Sequence, residues 1–184
     1  SVGEHNVNFI VTASNNVVHN DNVVITANLV DFSFNGSPQK SSIYKTENTN
    51  RNFSIIQPGG TPLSYQMRYV VDSGSGIVKS GSGTTLTAST YYPVSLGNFN
   101  WNFIGNTTGQ TKITFYAKNS SGQEVSKQIT VNVNTTEFNF GAVGSVSSAN
   151  VNELLDVNFS LNKLGTESVT YDMQFTSSLS GKFI

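Results

Sequence analysis

Hydrophobic and polar residues alternate over most of this chain. Phe99, Trp101 and Phe103 alternate with Asn100 and Asn102, and Ile113, Phe115 and Ala117 alternate with Lys112, Thr114 and Tyr116. A period of two is the signature of a half-buried strand. A third strand runs on to Val133, and the clusters at 105–109 and 119–122 that separate the three are rich in Gly and Asn. Such clusters form tight turns, so this stretch is expected to be a meander joined by hairpins, with the rest of the chain packed against it.

Further strands are expected near Asp31 to Phe34, Arg51 to Gln57, Leu63 to Val71, Gly76 to Ser80, Thr84 to Thr87 and Tyr92 to Ser95. Turn clusters rich in Gly, Pro, Ser and Asn lie between them at 58–62, 72–76, 81–83 and 97–98, and the Gly-Ser stretch from Asp72 to Gly83 is expected to be a hairpin tip or distal loop. No segment keeps helical spacing for more than one turn. Short strands at roughly ten-residue intervals define an all-β chain of immunoglobulin-like β-sandwich type, here without a disulfide because there is no cysteine. The expected core is Phe53, Ile55, Tyr65, Met67, Tyr69, Val71, Phe99, Trp101, Phe103, Ile113, Phe115, Ile129 and Val131.

Displaced by about 106 residues, the sequence matches itself without a gap, with about 15 identities over the 78 overlapping positions (184 − 106). Asp31-Phe32-Ser33-Phe34 falls on Glu137-Phe138-Asn139-Phe140, and Asn52-Phe53-Ser54-Ile55 on Asn158-Phe159-Ser160-Leu161. Tyr65-Gln66-Met67-Arg68-Tyr69 falls on Tyr171-Asp172-Met173-Gln174-Phe175, and Val23 and Ile25 on Ile129 and Val131. This spacing predicts tandem units. Residues 31–136 form a complete unit, 1–30 the C-terminal part of a preceding one, and 137–184 the N-terminal half of a following one. Each buried Phe or Leu stabilises by about 1.5 to 3 kcal/mol, so a dozen of them sustain one unit, whereas a half unit has too few. The start at Ser1 reads as that of a piece excised or processed from something longer. The expected partners are therefore neighbouring units of the same chain or of adjacent chains, because an open sheet with missing strands invites pairing at its edges.

Charge and chemistry narrow the function. Only 11% of residues are charged and the net charge is −1, which leaves no basic face for nucleic acid. No apolar run is long enough to span a bilayer. His5 and His19 are the only histidines and both precede residue 31, so a Ser-His-Asp device within the complete unit is excluded. Its carboxylates Asp31, Glu47, Asp72 and Glu124, with Glu137 just beyond, form neither a hydrolytic pair nor a run of alternating acids. Asp31 and Glu137, and likewise Glu47 and Glu153, recur at equivalent places, so an ion site between units is conceivable. The Gly-Ser stretch has no phosphate-loop ending. No catalytic residue, metal site or cofactor is expected. Trp101 has the phase of the core, whereas Tyr91 and Tyr92, followed by Pro93, form the candidate binding edge for a cell-surface glycan or protein. Asn-x-Ser/Thr triplets at Asn35, Asn52, Asn106, Asn119, Asn134 and Asn158 accept glycans only in a secretory host.

The segment Tyr65 to Val131 resembles the TraQ proteins of Bacteroides-type conjugative transposons. The resemblance rests on Tyr65-x-Met67-Arg68-Tyr69, Gly76, Gly83-Thr84 with Tyr92-Pro93 following, Phe99-x-Trp101, and Ser121-Gly122-Gln123-Glu124-Val125. It implies a small exported immunoglobulin-like domain of Bacteroidota or their mobile elements, of the kind found in single-domain lipoproteins of the mating apparatus. The function expected is a non-enzymatic structural or adhesive module of a repetitive extracellular adhesin or filament stalk at the cell surface. The alternatives are a phage virion fibre or capsid-decorating protein, and a carbohydrate-binding accessory module.

Overall fold

A computed structural model describes residues 3–28 and 30–176. Among these, thirteen strands form four sheets, and no helix is long and apolar enough to cross a membrane. Residues 1–2, Leu29 and 177–184, the end of the expected third segment, lie outside the described residues. The first hairpin is β1 (Gly3–Thr12) with β2 (Val18–Ala27). A sandwich follows, and then the hairpin β12 (Glu137–Gly144) with β13 (Val157–Leu164).

One layer of the sandwich contains, in spatial order, β3 (Ser33–Pro38), β5 (Asn48–Ile56), β9 (Gly97–Gly105) and β7 (Gly76–Ser80). The other contains β4 (Ser42–Tyr44), β11 (Glu124–Asn134), β10 (Gly109–Asn119), β6 (Tyr65–Ser73) and β8 (Tyr92–Val94). Four strands against a last, penultimate and middle strand is the constant-type immunoglobulin arrangement, extended at its edges by β4 and β8. Alternation delivers one side chain in two to the space between the layers. Phe53 packs with its ring centroid 4.8 Å from Phe115 across the sandwich, Trp101 lies 6.2 Å from Phe115, and Phe34 stacks on Phe53 at 5.6 Å. Every expected core residue is buried except Val71 and Phe99, which are partly buried at its margin.

The structure corrects the expected connectivity. Strands β9 and β10 do not pair, so the 105–109 cluster is a crossover between layers and not a hairpin. Only 119–122 closes a hairpin, between β10 and β11. Asp72 to Gly76 is likewise a crossover, from β6 to β7 in the opposite layer. There Gly74 has φ +78°, and a Cβ on it would lie 2.3 Å from Thr111 Oγ1. Residues 84–87 form no strand beyond an isolated bridge from Thr85 to Lys79. Strand β4, absent from the sequence reading, pairs in parallel with β11, Ile43 opposite Val133.

The same geometry recurs 106 positions apart. All ten pairs of the β1–β2 register, from Gly3↔Ala27 to Thr12↔Val18, become pairs of the β10–β11 register when 106 is added. The six β3–β5 pairs, from Ser33↔Ile56 to Pro38↔Arg51, become β12–β13 pairs in the same way. The Phe34–Phe53 stack corresponds to Phe140–Phe159 at 5.9 Å, and the Phe32–Tyr65 edge contact to Phe138–Tyr171 at 4.9 Å. Positive φ at Thr46 and Asn152 recurs as well. Following each, Glu47 and Glu153 accept a hydrogen bond from the backbone N–H three residues earlier, that of Tyr44 and of Asn150. The sandwich touches the last hairpin through a Lys45–Glu167 ion pair and a 3.0 Å hydroxyl contact between Thr46 and Thr166.

Candidate functional site

Because successive side chains point to opposite faces, Arg68 between buried Met67 and Tyr69 projects from the outer face of β6. Its guanidinium lies 3.9 Å from the ring centroid of Tyr116, its cross-strand partner on β10. Nε donates to the Tyr91 hydroxyl at 3.0 Å and Nη2 to Glu124 Oε1 at 3.0 Å, while the Tyr91 hydroxyl donates to Glu124 Oε2. The Lys118 ammonium sits 6.0 Å from the Tyr91 ring. The hydrogen bond to Tyr91, with the charge of Glu124, holds Arg68 above its ordinary pKa against the opposing effect of burial. Burial, and then donation to Glu124, raises the Tyr91 phenol. Beside this cluster is an open depression of about 350 Å³ bordered by Gln66, Tyr91, Lys118 and Ser120. It offers a fixed aromatic ring, a cation and neutral hydrogen-bonding groups, a composition that suits an uncharged or weakly acidic polar ligand.

The two tyrosines singled out in the sequence part company here. Tyr92 opens β8 opposite buried Met67, turns inward and meets Trp101 edge-on at 6.3 Å. Its hydroxyl accepts the Thr87 N–H at 2.8 Å. Of the pair, Tyr91 borders the depression and Tyr92 closes the core.

A second polar surface was not singled out in the sequence. The outer face of β3, β5 and β9 aligns Asn35, Ser54 and Asn98 in one row and Ser37, Asn52 and Asn100 in the next. These six surround an open depression of about 590 Å³. The Asn-rich composition signalled polarity; only strand register turns it into an array.

The remaining candidates stay apart. Gln123 donates to Asp31 at 3.2 Å, Thr114 and Gln128 donate to Asp72 at 2.6 and 3.0 Å, and Glu47 pairs with Lys40. His5 faces Ile25 and His19 faces Val11, six register steps apart along the hairpin, which is about 20 Å at the rise of a strand. Among the described residues no three His, Cys, Asp or Glu side chains are grouped so that they could hold a metal ion.

Fold and chemistry together define the class: an immunoglobulin-like β-sandwich module with polar outer faces. No family model matches the sequence, and no curated protein matches it either. Solved structures do. A conjugative transposon lipoprotein of Bacteroides eggerthii is similar with a TM-score of 0.51 and 15% identity, over 55% of this chain and 96% of its own. A lipoprotein of Bacteroides thetaiotaomicron gives a TM-score of 0.50 and 23% identity, over 55% of this chain and 79% of its own. The structural neighbours thus include Bacteroides conjugative transposon lipoproteins, the group to which the TraQ resemblance pointed. At such identities the likeness is one of fold.

Proposed function

We propose that this chain is a non-enzymatic structural and adhesive module of a repetitive extracellular surface protein of a Bacteroidota-type bacterium. Residues 31–136 are its complete unit, 1–30 the end of a preceding unit and 137–184 the start of a following one. The observation that carries this reading is the recurrence of register, aromatic geometry and turn hydrogen bonds at an offset of 106 residues. One pairing fixes a whole antiparallel register, so the matches amount to two registers, two aromatic contacts and one turn hydrogen bond, all at the same offset. A surface of Asn, Ser and Thr with few charges and a fold shared with Bacteroides lipoproteins support a place outside the cell.

Residues 31–136 expressed alone are expected to unfold in one cooperative transition with the Trp101 emission of a buried indole. Antibodies to this unit are expected to label intact source cells. A unit that fails to fold without its flanks, or labelling only after permeabilisation, refutes the reading. The Tyr91 depression and the amide rows support a glycan as the ligand of the adhesive face. A glycan array on the same unit checks this, with binding expected to disappear on Tyr91→Ala.

A further inference from the structure

The sandwich contains a template for what its two flanking hairpins do. Within it β3–β5 and β10–β11 lie face to face, Phe53 against Phe115, and a Cβ on Gly36 would stand 3.6 Å from Ile129 Cδ1. The counterparts of β10–β11 are β1–β2, and those of β3–β5 are β12–β13. Their equivalent faces are open. Phe9 is 55% exposed where Phe115 is 0%, and Phe159 is 44% exposed where Phe53 is 2%. Val7, Val23 and Ile25 on one hairpin, and Phe140 and Leu161 on the other, are exposed in the same way.

A second observation concerns ladders. In the sandwich β4 pairs with β11, and β6 with β10. Residues 148–150 and 171–174, the counterparts of β4 and of the start of β6, form no ladder among the described residues, whereas β12 and β13, whose template partners are each other, do. The absent ladders are those that strands equivalent to β10 and β11 would complete, and β1 and β2 have that equivalence. Where the sandwich has Gly36 and Ile129, the two ends offer Ala142 and Val23; a Cβ at Gly36 would stand 2.8 Å from the Phe53 ring, so the equivalent Phe159 ring must shift to admit Ala142.

We infer that a second copy of this chain covers these faces, with β1–β2 of one copy closing the half sandwich begun by β12–β13 of the next. The inference rests on the repeat reading above and adds a partner to it. The interface joins different surfaces of the two copies, so it is heterologous and propagates head to tail, as a ring or as an open filament. Strand addition of this kind supplies main-chain hydrogen bonds as well as apolar burial. Association of this kind is governed by mass action and rises with concentration.

The test uses the 184-residue chain, which has no cysteine of its own. Met67 faces Ala117 in the sandwich, so Met173→Cys on one copy and Val11→Cys on another are opposed in the composite at a separation that a disulfide spans. Mixing the two differently tagged variants under mild oxidation is expected to give a covalent heterodimer. Ile10→Cys, which points to the other face of its strand, gives none. Sedimentation of the parent chain shows mass rising with concentration, a rise that Phe9→Glu abolishes. Trp101 emission checks that each variant keeps its sandwich. Heterodimer no greater than the Ile10→Cys control, or a parent chain of 19.8 kDa at every concentration, overturns the inference. The repeat reading survives that result if residues 31–136 still fold alone.

Discussion

Replacing Arg51 by methionine removes a cation from the middle of the sandwich. Arg51 lies on β5 between Asn50 and Asn52, with the inward phase of Phe53, and its side chain is fully buried. Nη1 donates to the Lys40 carbonyl at 3.0 Å, while Nε and Nη2 have no protein partner. The guanidinium carbon stands 5.7 Å from the Phe103 ring centroid. Burial lowers its pKa from the ordinary guanidinium value to about 10, and at about 1.4 kcal/mol per pH unit this corresponds to a cost of roughly 3 kcal/mol for keeping the charge at neutral pH. Methionine keeps the unbranched stem and fills most of the volume. The substitution forfeits a charge-assisted hydrogen bond of about 1.5 to 3 kcal/mol, part of which the exposed Lys40 segment recovers from water. The expected result is a variant about 1 kcal/mol more stable than the parent, in line with the apolar residue, Val157, at the position 106 residues on.

Urea unfolding followed by Trp101 fluorescence measures this directly, because Trp101 is the cross-strand neighbour of Arg51 and is itself buried. The pH dependence isolates the cause. Since the folded pKa lies below the unfolded one, the unfolded chain binds the extra proton between about pH 10 and 12.5. The parent therefore gains stability relative to the methionine variant as pH rises above about 10, and the difference between them shrinks and then reverses. Arg51→Ala, which leaves a cavity, is expected to lose about 2 to 4 kcal/mol instead. A methionine variant more than about 1 kcal/mol less stable than the parent, with a difference that ignores pH, refutes the reasoning.

Three other perturbations are specific. Gly76→Ala places a Cβ 2.1 Å from Phe103 Cε2 and 2.6 Å from the Ile104 carbonyl oxygen and is expected to cost about 2 kcal/mol or more in the same assay, whereas Gly59→Ala, with open space around it, is expected to be neutral. Tyr92→Ala removes the edge contact with Trp101 and is expected to lower stability and to red-shift the Trp101 emission; an unchanged emission contradicts its packing against the core. The pKa of Glu47 is lowered: burial acts to raise it, but the hydrogen bonds from Lys40 and the Tyr44 N–H outweigh burial. Its contribution is thus complete above the ordinary value of 4.5 and is lost as pH falls below it, so Glu47→Gln is expected to weaken the fold at neutral pH and to flatten acid unfolding below pH 4.5.

Period-two patterning carried much of the fold because β9, β10 and β11 alternate over nine to eleven residues. It located Gly76–Ser80 to the residue, and it placed Trp101 in the core. Patterning says which side chains face inward but not which strands are neighbours; a Gly- and Asn-rich turn serves a crossover as well as a hairpin, and so β9 and β10 were misread as a pair. Strand β4 has three residues, too few for any period. Arg51 has the inward phase of Phe53, but the sequence does not reveal that one ring and one carbonyl receive a buried guanidinium there. The Tyr91 site was half legible. Tyr-Tyr-Pro marked the place, but the residues that fix the ring, Arg68 and Glu124, lie 23 and 33 positions away, a proximity that only the sheet creates.

The edges of the sandwich bear on how such modules associate. An exposed edge strand recruits other chains unless something blocks it. Here β3 ends in Pro38, β4 has three residues, β8 has three with Pro93 in the middle, and the outer edge strand β7 carries Lys79. These are the devices that stop sideways pairing. The outer face of β3, β5 and β9 presents amides and hydroxyls, which water satisfies as well as another protein does. The large exposed apolar side chains concentrate instead on β1–β2 and on the segment from β12 onward. With sideways pairing suppressed and most of the exposed apolar surface at the two ends, Ile56 and Leu96 being the exceptions on the sandwich, hydrophobic association acts chiefly in one direction. Under the inference drawn above, that direction builds a line of modules whose sides stay free for the adhesive contacts proposed at Tyr91.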